Sequence, residues 1–427
     1  MILKGHGAAD REITIIISSI AAILNFAIGP VVSFRSDRTR TRWGRRIPYL
    51  VAAMPFAAFF LVLTPHAPAI SEWLLGFPAA RRVLEALPLT SPVIAVYALL
   101  VALYQVFHLV TASIYFYLFR DVVPAAFLGR FLALFRVFGS IGTFIINYWL
   151  LGMALTHTWQ IFTGVALFYA GSFAAMCFFV REGRYPEPAG AAHAAGGGPR
   201  WIESAKTFVT ESYGKSVYLW TYLARMMLYA TVPVQAFLVL FPQRELGLEL
   251  DRIGKLSSWG AFAWLPFALP LGWLIDRWGP IRVMTILLWV FLVALGGSFL
   301  FVTGEAGFFV SSLVIGAVFP MLMLAQIVLA QHMFPADRMG QFSSANSMLQ
   351  AVVIALVIGP GTGVLLDALR DFQGSLPVPF AGELVVGPYR LVYLILAVLA
   401  ALSLLGIRMA RRQWLRWGGP KNYTPPG

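Results

Sequence analysis

The chain has 427 residues, 59% of them hydrophobic and only 12% charged, with a net charge of +13. Ordinary soluble domains are about half apolar and about a quarter charged, so a water-soluble fold of this composition would leave large apolar patches bare. Disorder is excluded by the abundance of groups to bury. At roughly 20 apolar residues per spanning helix, the composition is that of an all-α polytopic membrane protein with about ten to twelve spans. The basic residues lie mostly in short loops between apolar runs, so topogenesis explains the charge better than nucleic-acid binding does. The single cysteine, Cys177, leaves no intrachain disulfide. The six histidines show no ligand spacing, so neither a metal nor a cofactor is expected. No cleavable leader is expected, because Asp10, Arg11 and Glu12 run straight into a full-length apolar segment.

In chain order, eleven apolar runs predict helices over 12–33, 48–65, 92–119, 131–152, 158–180, 216–241, 256–275, 281–302, 307–331, 343–366 and 388–408. They are too long and too continuously apolar for barrel strands. The loop 66–90 is long enough for an amphipathic helix around Ala79–Leu87. Basic clusters recur in every second loop: Arg35 to Arg46, Arg120/Arg130, Arg181/Arg184, Arg277/Arg282, Arg338 and the tail. The positive-inside rule places these in the cytoplasm, with the C-terminus inside and the N-terminus outside, most simply in a bacterial inner membrane. The Pro- and Gly-rich stretch 181–215 reads as a cytoplasmic linker, with a short helix near 201–213. It separates a bundle of five spans (1–180) from one of six (216–412), followed by a tail (413–427).

Two motifs repeat across the linker. Ser36-Asp37-Arg38 followed by Gly44-Arg45-Arg46 matches Ile275-Asp276-Arg277 followed by Gly279 and Arg282. Pro124-Ala125 with Gly129-Arg130-Phe131 matches Pro335-Ala336 with Gly340-Gln341-Phe342. All four read as loop segments. In the second half two predicted helices precede the Asp-Arg loop, whereas in the first half one does, so the expectation is a twelve-helix plan without its first helix, with residues 1–11 as an outside loop.

Asp276-Arg277-Trp278-Gly279 with Arg282, set between two spans, resembles the loop signature of the major facilitator superfamily. The expanded copy, Asp37 through Arg42-Trp43-Gly44-Arg45-Arg46, is similar to that of the glycoside–pentoside–hexuronide and sucrose-type cation symporters, as is Arg120-Asp121-Val122-Val123-Pro124 with Gly129-Arg130. The resemblance implies two six-helix bundles that rock about a substrate site near the midplane, with the helices at 92–119, 216–241 and 307–331 lining the cavity. It also implies a gate. Asp37 would face the N-terminus of a helix beginning near Phe342, and Asp276 that of a helix beginning near Phe131, each carboxylate meeting a positive dipole end. Gly44 and Gly279 would permit tight turns. Without a gate, the arginines would serve topology and lipid headgroups alone.

Polar residues inside the spans are candidate cavity residues. Tyr104, His108, Thr111 and Tyr115 share one face of their helix; Tyr218, Tyr222, Arg225 and Tyr229 share one face of another. Asn147, Gln235, Gln326, Asn346 and Gln350 complete the set. Tyrosine and histidine suit a hydroxylated solute through hydrogen bonds and stacking. The alternatives are interfacial-belt roles for Tyr115 and Tyr218, snorkelling for Arg225 and helix gluing for His108, Asn346 and Gln350. No Asp or Glu falls in the middle of a span, so coupling to a proton or sodium ion would rest on a preceding helix or on His108, and an uncoupled facilitator stands beside it. The expected protein is a monomeric transporter of a small polar solute, most simply a sugar or glycoside. A non-transporting assembly or pigment-delivery factor is the alternative from another class. An intramembrane enzyme is disfavoured, because no acid cluster or nucleophile set lies at depth. ATP-driven transport is disfavoured because there is no phosphate-binding Gly-Lys-Ser/Thr loop.

Overall fold

In a computed structural model, residues 2–39, 41–123, 125–183, 209–335, 338–372, 374–378 and 382–425 are described. Eleven helices carry the fold. We label them α1 (Asp10–Thr14, a wider turn Ile15–Ser19, then Ile20–Arg38), α2 (Ile47–Leu75), α3 (Pro92–Val122), α4 (Ala125–Ile145, with a wider turn Ile146–Leu150) and α5 (Thr158–Phe179). The second half contributes α6 (Ser216–Arg244), α7 (Leu250–Trp278), α8 (Pro280–Phe301), α9 (Glu305–Met333), α10 (Met339–Val353, a wider turn Ile354–Ile358, then Gly359–Ala368) and α11 (Leu391–Arg416). Among the described residues ten are long and apolar enough to cross a membrane, and the apolar stretch Leu134–Leu150 of α4 is a shorter eleventh. The fold is all-α and polytopic. Prolines open α2, α3 and α8, where a missing N–H costs nothing. Interior prolines such as Pro233 and Pro320 each free one carbonyl of the preceding turn, which spanning helices tolerate where side chains, water or local backbone adjustment can satisfy it.

The helices group into two compact units. The first comprises residues Met1–Phe138, Met153–Gly197 and Ile354–Asp367, and the second Gly139–Gly152, Gly198–Val353 and Ala368–Gly427. Within the first, Val32, Leu50, Ile114 and Leu118 form a buried apolar cluster joining α1, α2 and α3. Within the second, α6 packs along α11 with the Ser403 hydroxyl donating to the Ala224 carbonyl at 2.7 Å. There α7 is broken at Trp259 and Trp264, and the Trp264 indole N–H donates to Ser140 Oγ at 3.1 Å.

Several sequence expectations change. Residues Ile2–Gly5 are helical and α1 begins at Asp10, so 1–11 is not a plain loop. The reason is polar: Glu12 accepts the Ala9 N–H at 2.9 Å and the Thr90 hydroxyl at 2.8 Å, fixing the start of the helix. The segments Gly129-Arg130-Phe131 and Gly340-Gln341-Phe342 lie inside α4 and α10 rather than in loops, because both helices start earlier, at Ala125 and Met339. The expected amphipathic helix appears at Pro78–Ala86. The stretch 367–387 holds a hairpin, β1 (Gly374–Val378) antiparallel to β2 (Gly382–Val386), with Leu376 opposite Leu384. Most of the expected linker, 184–208, lies outside the described residues.

Two helix starts are held by carboxylates from far along the chain. Asp367 accepts the N–H groups of Asp10 and Arg11 at 2.8 and 2.9 Å, at the first turn of α1. Glu245 accepts the N–H of Arg390 at 2.8 Å and of Gly387 at 3.3 Å, at the start of α11. Arg390 in turn donates to the Phe299 and Val302 carbonyls, both at 2.7 Å, and stacks over Phe241. Burial pushes the Glu245 carboxyl up, against the pull of these N–H groups and of the Arg390 guanidinium.

Asp367→Ala removes an acceptor pair at a helix start and is expected to lower stability by about 1 kcal/mol, read as a lower thermal midpoint of the detergent-solubilised protein. Because the folded-state pKa of Glu245 is raised, its contribution is full below the unfolded value of about 4.3 and declines as pH rises through the folded one. Glu245→Gln should therefore flatten the midpoint-versus-pH curve just above that value; an unchanged slope would contradict it.

Candidate functional site

The first gate loop joins α1 to α2. Asp37 and Arg38 close α1, as expected, but their side chains lie outside the described residues, as do those of Asp121 and Arg130; Gly129 is helical backbone within α4. Gly44 has φ of +104°, a conformation glycine adopts without strain. Its role is larger than a tight turn. A Cβ on Gly44 would stand 2.5 Å from Cδ of Glu182, a residue that sequence reading passed over among the basic positions around it. Glu182 accepts the N–H of Arg45 at 3.0 Å and those of Arg46 and Ile47 at 2.8 Å each. One carboxylate thus saturates the start of α2, favoured by the helix dipole. The Arg46 guanidinium is buried and donates to Ser36 Oγ. In the second gate loop, Gly279 has φ of +79° and joins α7 directly to α8; Asp276, Arg277 and Arg282 are exposed around it.

In the first unit, the face predicted on α3 is real and meets α5. Tyr104 and His108 stack at 5.2 Å, and His108 lies 6.1 Å from the ring of Tyr169. His108 Nδ1 is buried with no hydrogen-bond partner among the described residues, and the buried Tyr169 hydroxyl lies within reach of the Thr111 hydroxyl. Tyr169 is a residue that sequence reading missed, because a lone tyrosine in an apolar run carries no periodic signal. Thr111 is fully buried, but its hydroxyl donates to the Phe107 carbonyl of its own helix at 2.9 Å. Tyr115 packs on Phe173 at 5.4 Å.

In the second unit, Tyr218 and Tyr222 on α6 are fully buried, which removes the interfacial-belt alternative for Tyr218. Tyr218 packs 4.4 Å from Phe342, and Tyr222 5.6 Å from Phe334. Arg225 does not snorkel. Its guanidinium lies 5.7 Å over the Phe334 ring, with Nε and one terminal nitrogen buried and unpartnered. Among the described residues the Tyr222 hydroxyl and Asn346 Oδ1 are also buried without partners. Nearby, Tyr213 donates to the Ala345 carbonyl at 2.8 Å and Gln341 to Glu211 at 3.0 Å. Gln326 is buried, its amide directed to Met323 Sδ at 3.0 Å. The other candidates lie apart from this cluster in character: Tyr229 is 43% exposed, and Gln235 and Gln350 are half-buried. Asn147 lies in the wider turn of α4, its carbonyl pressed against Gly254. No group of three or more metal-ligating side chains occurs among the described residues.

The family model of the Major Facilitator Superfamily matches residues 2–360. The chain belongs to that superfamily. Solved superfamily-like structures share its fold at low identity. A nucleoside transporter, NupG, in mutant form, is 12% identical with a TM-score of 0.62, covering 94% of this chain and 91% of its own. A bacterial homologue of the human lysosomal transporter Spinster, 12% identical, has a TM-score of 0.61 over 100% of this chain and 93% of its own. A D-xylose-proton symporter, 15% identical, has a TM-score of 0.60 over 93% and 87%. Among curated proteins, an uncharacterized symporter of Synechocystis is 44% identical over 50 residues, which is 11% of this chain and only 9% of the relative.

Glu182→Ala leaves three N–H groups at the start of α2 without their acceptor. A loss of about 1–3 kcal/mol is expected, seen as a lower unfolding midpoint, with Glu182→Gln milder because one oxygen acceptor remains. Equal midpoints for wild type and Glu182→Ala would show that water replaces the carboxylate.

Proposed function

We propose that this superfamily member is a secondary transporter of a small polar organic solute, a sugar or glycoside, working by rocking alternating access in a bacterial inner membrane with its C-terminus in the cytoplasm. One observation carries the reading. Among the described residues, polar atoms buried without a partner include His108 Nδ1 in the first unit and those of Tyr222, Arg225 and Asn346 in the second, each on an apolar span. A buried polar group without a partner costs roughly 1–3 kcal/mol, and such groups in native folds call for an explanation. Donors and acceptors held ready beside aromatic faces match the needs of a polyhydroxylated solute. The gate residues Asp37, Arg38, Asp121, Arg130, Asp276, Arg277 and Arg282, with the glycines Gly44, Gly129 and Gly279 and the Arg45–Arg46 pair, would make and break the closing contacts at one end.

Coupling to a proton or sodium ion is supported by the short match to a symporter and by His108, whose ring nitrogen has no partner. The absence of a mid-span carboxylate in the sequence favours the second reading, an uncoupled facilitator.

In proteoliposomes, uptake of labelled sugars is expected, and a proton or sodium gradient should drive accumulation above equilibrium. His108→Ala, Tyr222→Phe and Arg225→Gln should each lower uptake about tenfold or more, equivalent to about 1.4 kcal/mol, while gel-filtration profiles stay unchanged. Equilibration without accumulation would establish the facilitator. No flux of any sugar through folded protein would overturn the substrate class and favour a non-transporting assembly role.

A further inference from the structure

The two repeated loops share a positive-φ glycine before the helix that follows, but they differ in length and in what meets that helix. After Gly44, the N–H groups of Arg46 and Ile47 are taken by Glu182. The matching groups after Gly279 belong to Ile281 and Arg282, and among the described residues no side chain accepts from them. Glu182 lies just beyond the last helix of the first half. The corresponding stretch at the end of α11 carries Arg411 and Trp414, and residues 388–427 contain no Asp or Glu at all.

Where the first half places a carboxylate, the second has a cavity of about 750 Å³. Arg277, Arg282, Arg411, His332 and Trp414 line it, with Asp276 the sole acid on its wall. None of the three guanidiniums is ion-paired among the described residues. Arg277 instead lies 5.2 Å over the Trp273 ring. The indole N–H of Trp414 is buried and has no acceptor. The wall is built rather than incidental: Tyr423 donates to the Met333 carbonyl at 2.9 Å and brackets the site, 6.2 Å from the His332 ring and 6.3 Å from that of Trp414.

Three guanidiniums against one carboxylate leave a surplus of positive charge that a bound anion would relieve. Forked guanidinium donors, a helix N-terminus and a free indole N–H are the recognition chemistry of phosphate oxygens. The volume exceeds that of a bare phosphate, and Ile275, Ile281, Val328 and Leu415 give the remainder an apolar lining.

We propose that this cavity is a phosphate-group site, taking from an external ligand the negative charge that Glu182 supplies in the first half. The phosphate can come from an anionic lipid headgroup or from a soluble phosphate, and the proposal is independent of the solute transported.

The test uses the full chain in detergent with two probes. Native mass spectrometry counts retained dioleoylphosphatidylglycerol against dioleoylphosphatidylcholine. Thermal unfolding compares inorganic phosphate with chloride at matched ionic strength. Preferential retention of phosphatidylglycerol by about tenfold identifies the headgroup as the source. A midpoint rise of several degrees in phosphate identifies the soluble anion. Either response should vanish in the Arg277→Gln/Arg282→Gln/Arg411→Gln variant and weaken a few-fold in Trp414→Phe. If the triple variant fails to fold, Arg282→Gln alone should weaken the response several-fold. Arg408→Gln/Arg412→Gln, the control, which alters two arginines near the C-terminal end of α11 outside the cavity lining, should leave it intact. The proposal is overturned if neither probe is preferred, if the triple variant or its single-site substitute responds like wild type, or if the tail control loses the response equally.

Discussion

A helix that enters or leaves a bilayer carries N–H groups at its first turn with no partner in its own backbone, and this constraint organises the molecule. Three helix starts meet it in one way, with a carboxylate from a distant part of the chain. Asp367 serves α1, Glu182 serves α2 and Glu245 serves α11. In each case the anion satisfies directed hydrogen bonds and meets the positive end of the helix dipole together. Because the partners lie far apart in sequence, each contact is also a tertiary tether. Glu182 ties the first gate loop to the end of α5, and Asp367 ties the end of α10 to the start of α1. These three acids are thus structural anchors.

The interior follows the opposite policy. Apolar clusters such as Val32, Leu50, Ile114 and Leu118 fill the packing between helices, while among the described residues His108, Tyr222, Arg225 and Asn346 keep polar atoms buried and unsatisfied. Other intramembrane hydroxyls resolve the problem locally, as Thr111 does on the Phe107 carbonyl and Thr221 on that of Val217. Buried polar atoms without that option carry a cost in stability that a ligand or water would offset.

The internal repeat adds an asymmetry. A positive-φ glycine recurs at Gly44 and Gly279, with different charges around each. One loop is closed by an internal carboxylate. The other faces three arginines that form no ion pair among the described residues. Fold symmetry is a property of the backbone path, whereas electrostatic balance belongs to the side chains that happen to reach each loop, so the two halves are free to answer to different ligands.

Much was legible in the sequence. The continuous apolar runs determined a helical membrane protein, because in hydrocarbon only helices of that length satisfy their own backbone. The Asp-Arg-Gly motifs carried a resemblance to the superfamily that the family model then matched, and periodicity placed Tyr104 and His108 on one helix face and Tyr218, Tyr222 and Arg225 on another, since 3.6 residues per turn leaves little choice. What the sequence left open depends on distance along the chain. Glu182 looked like one more charge in a basic stretch until folding set it against Gly44, 138 positions earlier. Tyr169 had no signal until α5 met α3, and the hairpin at Gly374–Val386 had too short a pattern to read. Whether Arg225 reached water or stayed over Phe334 was decided by packing that only the tertiary structure supplies. Local geometry is written in neighbouring residues; which polar groups find partners is fixed only when remote segments come together.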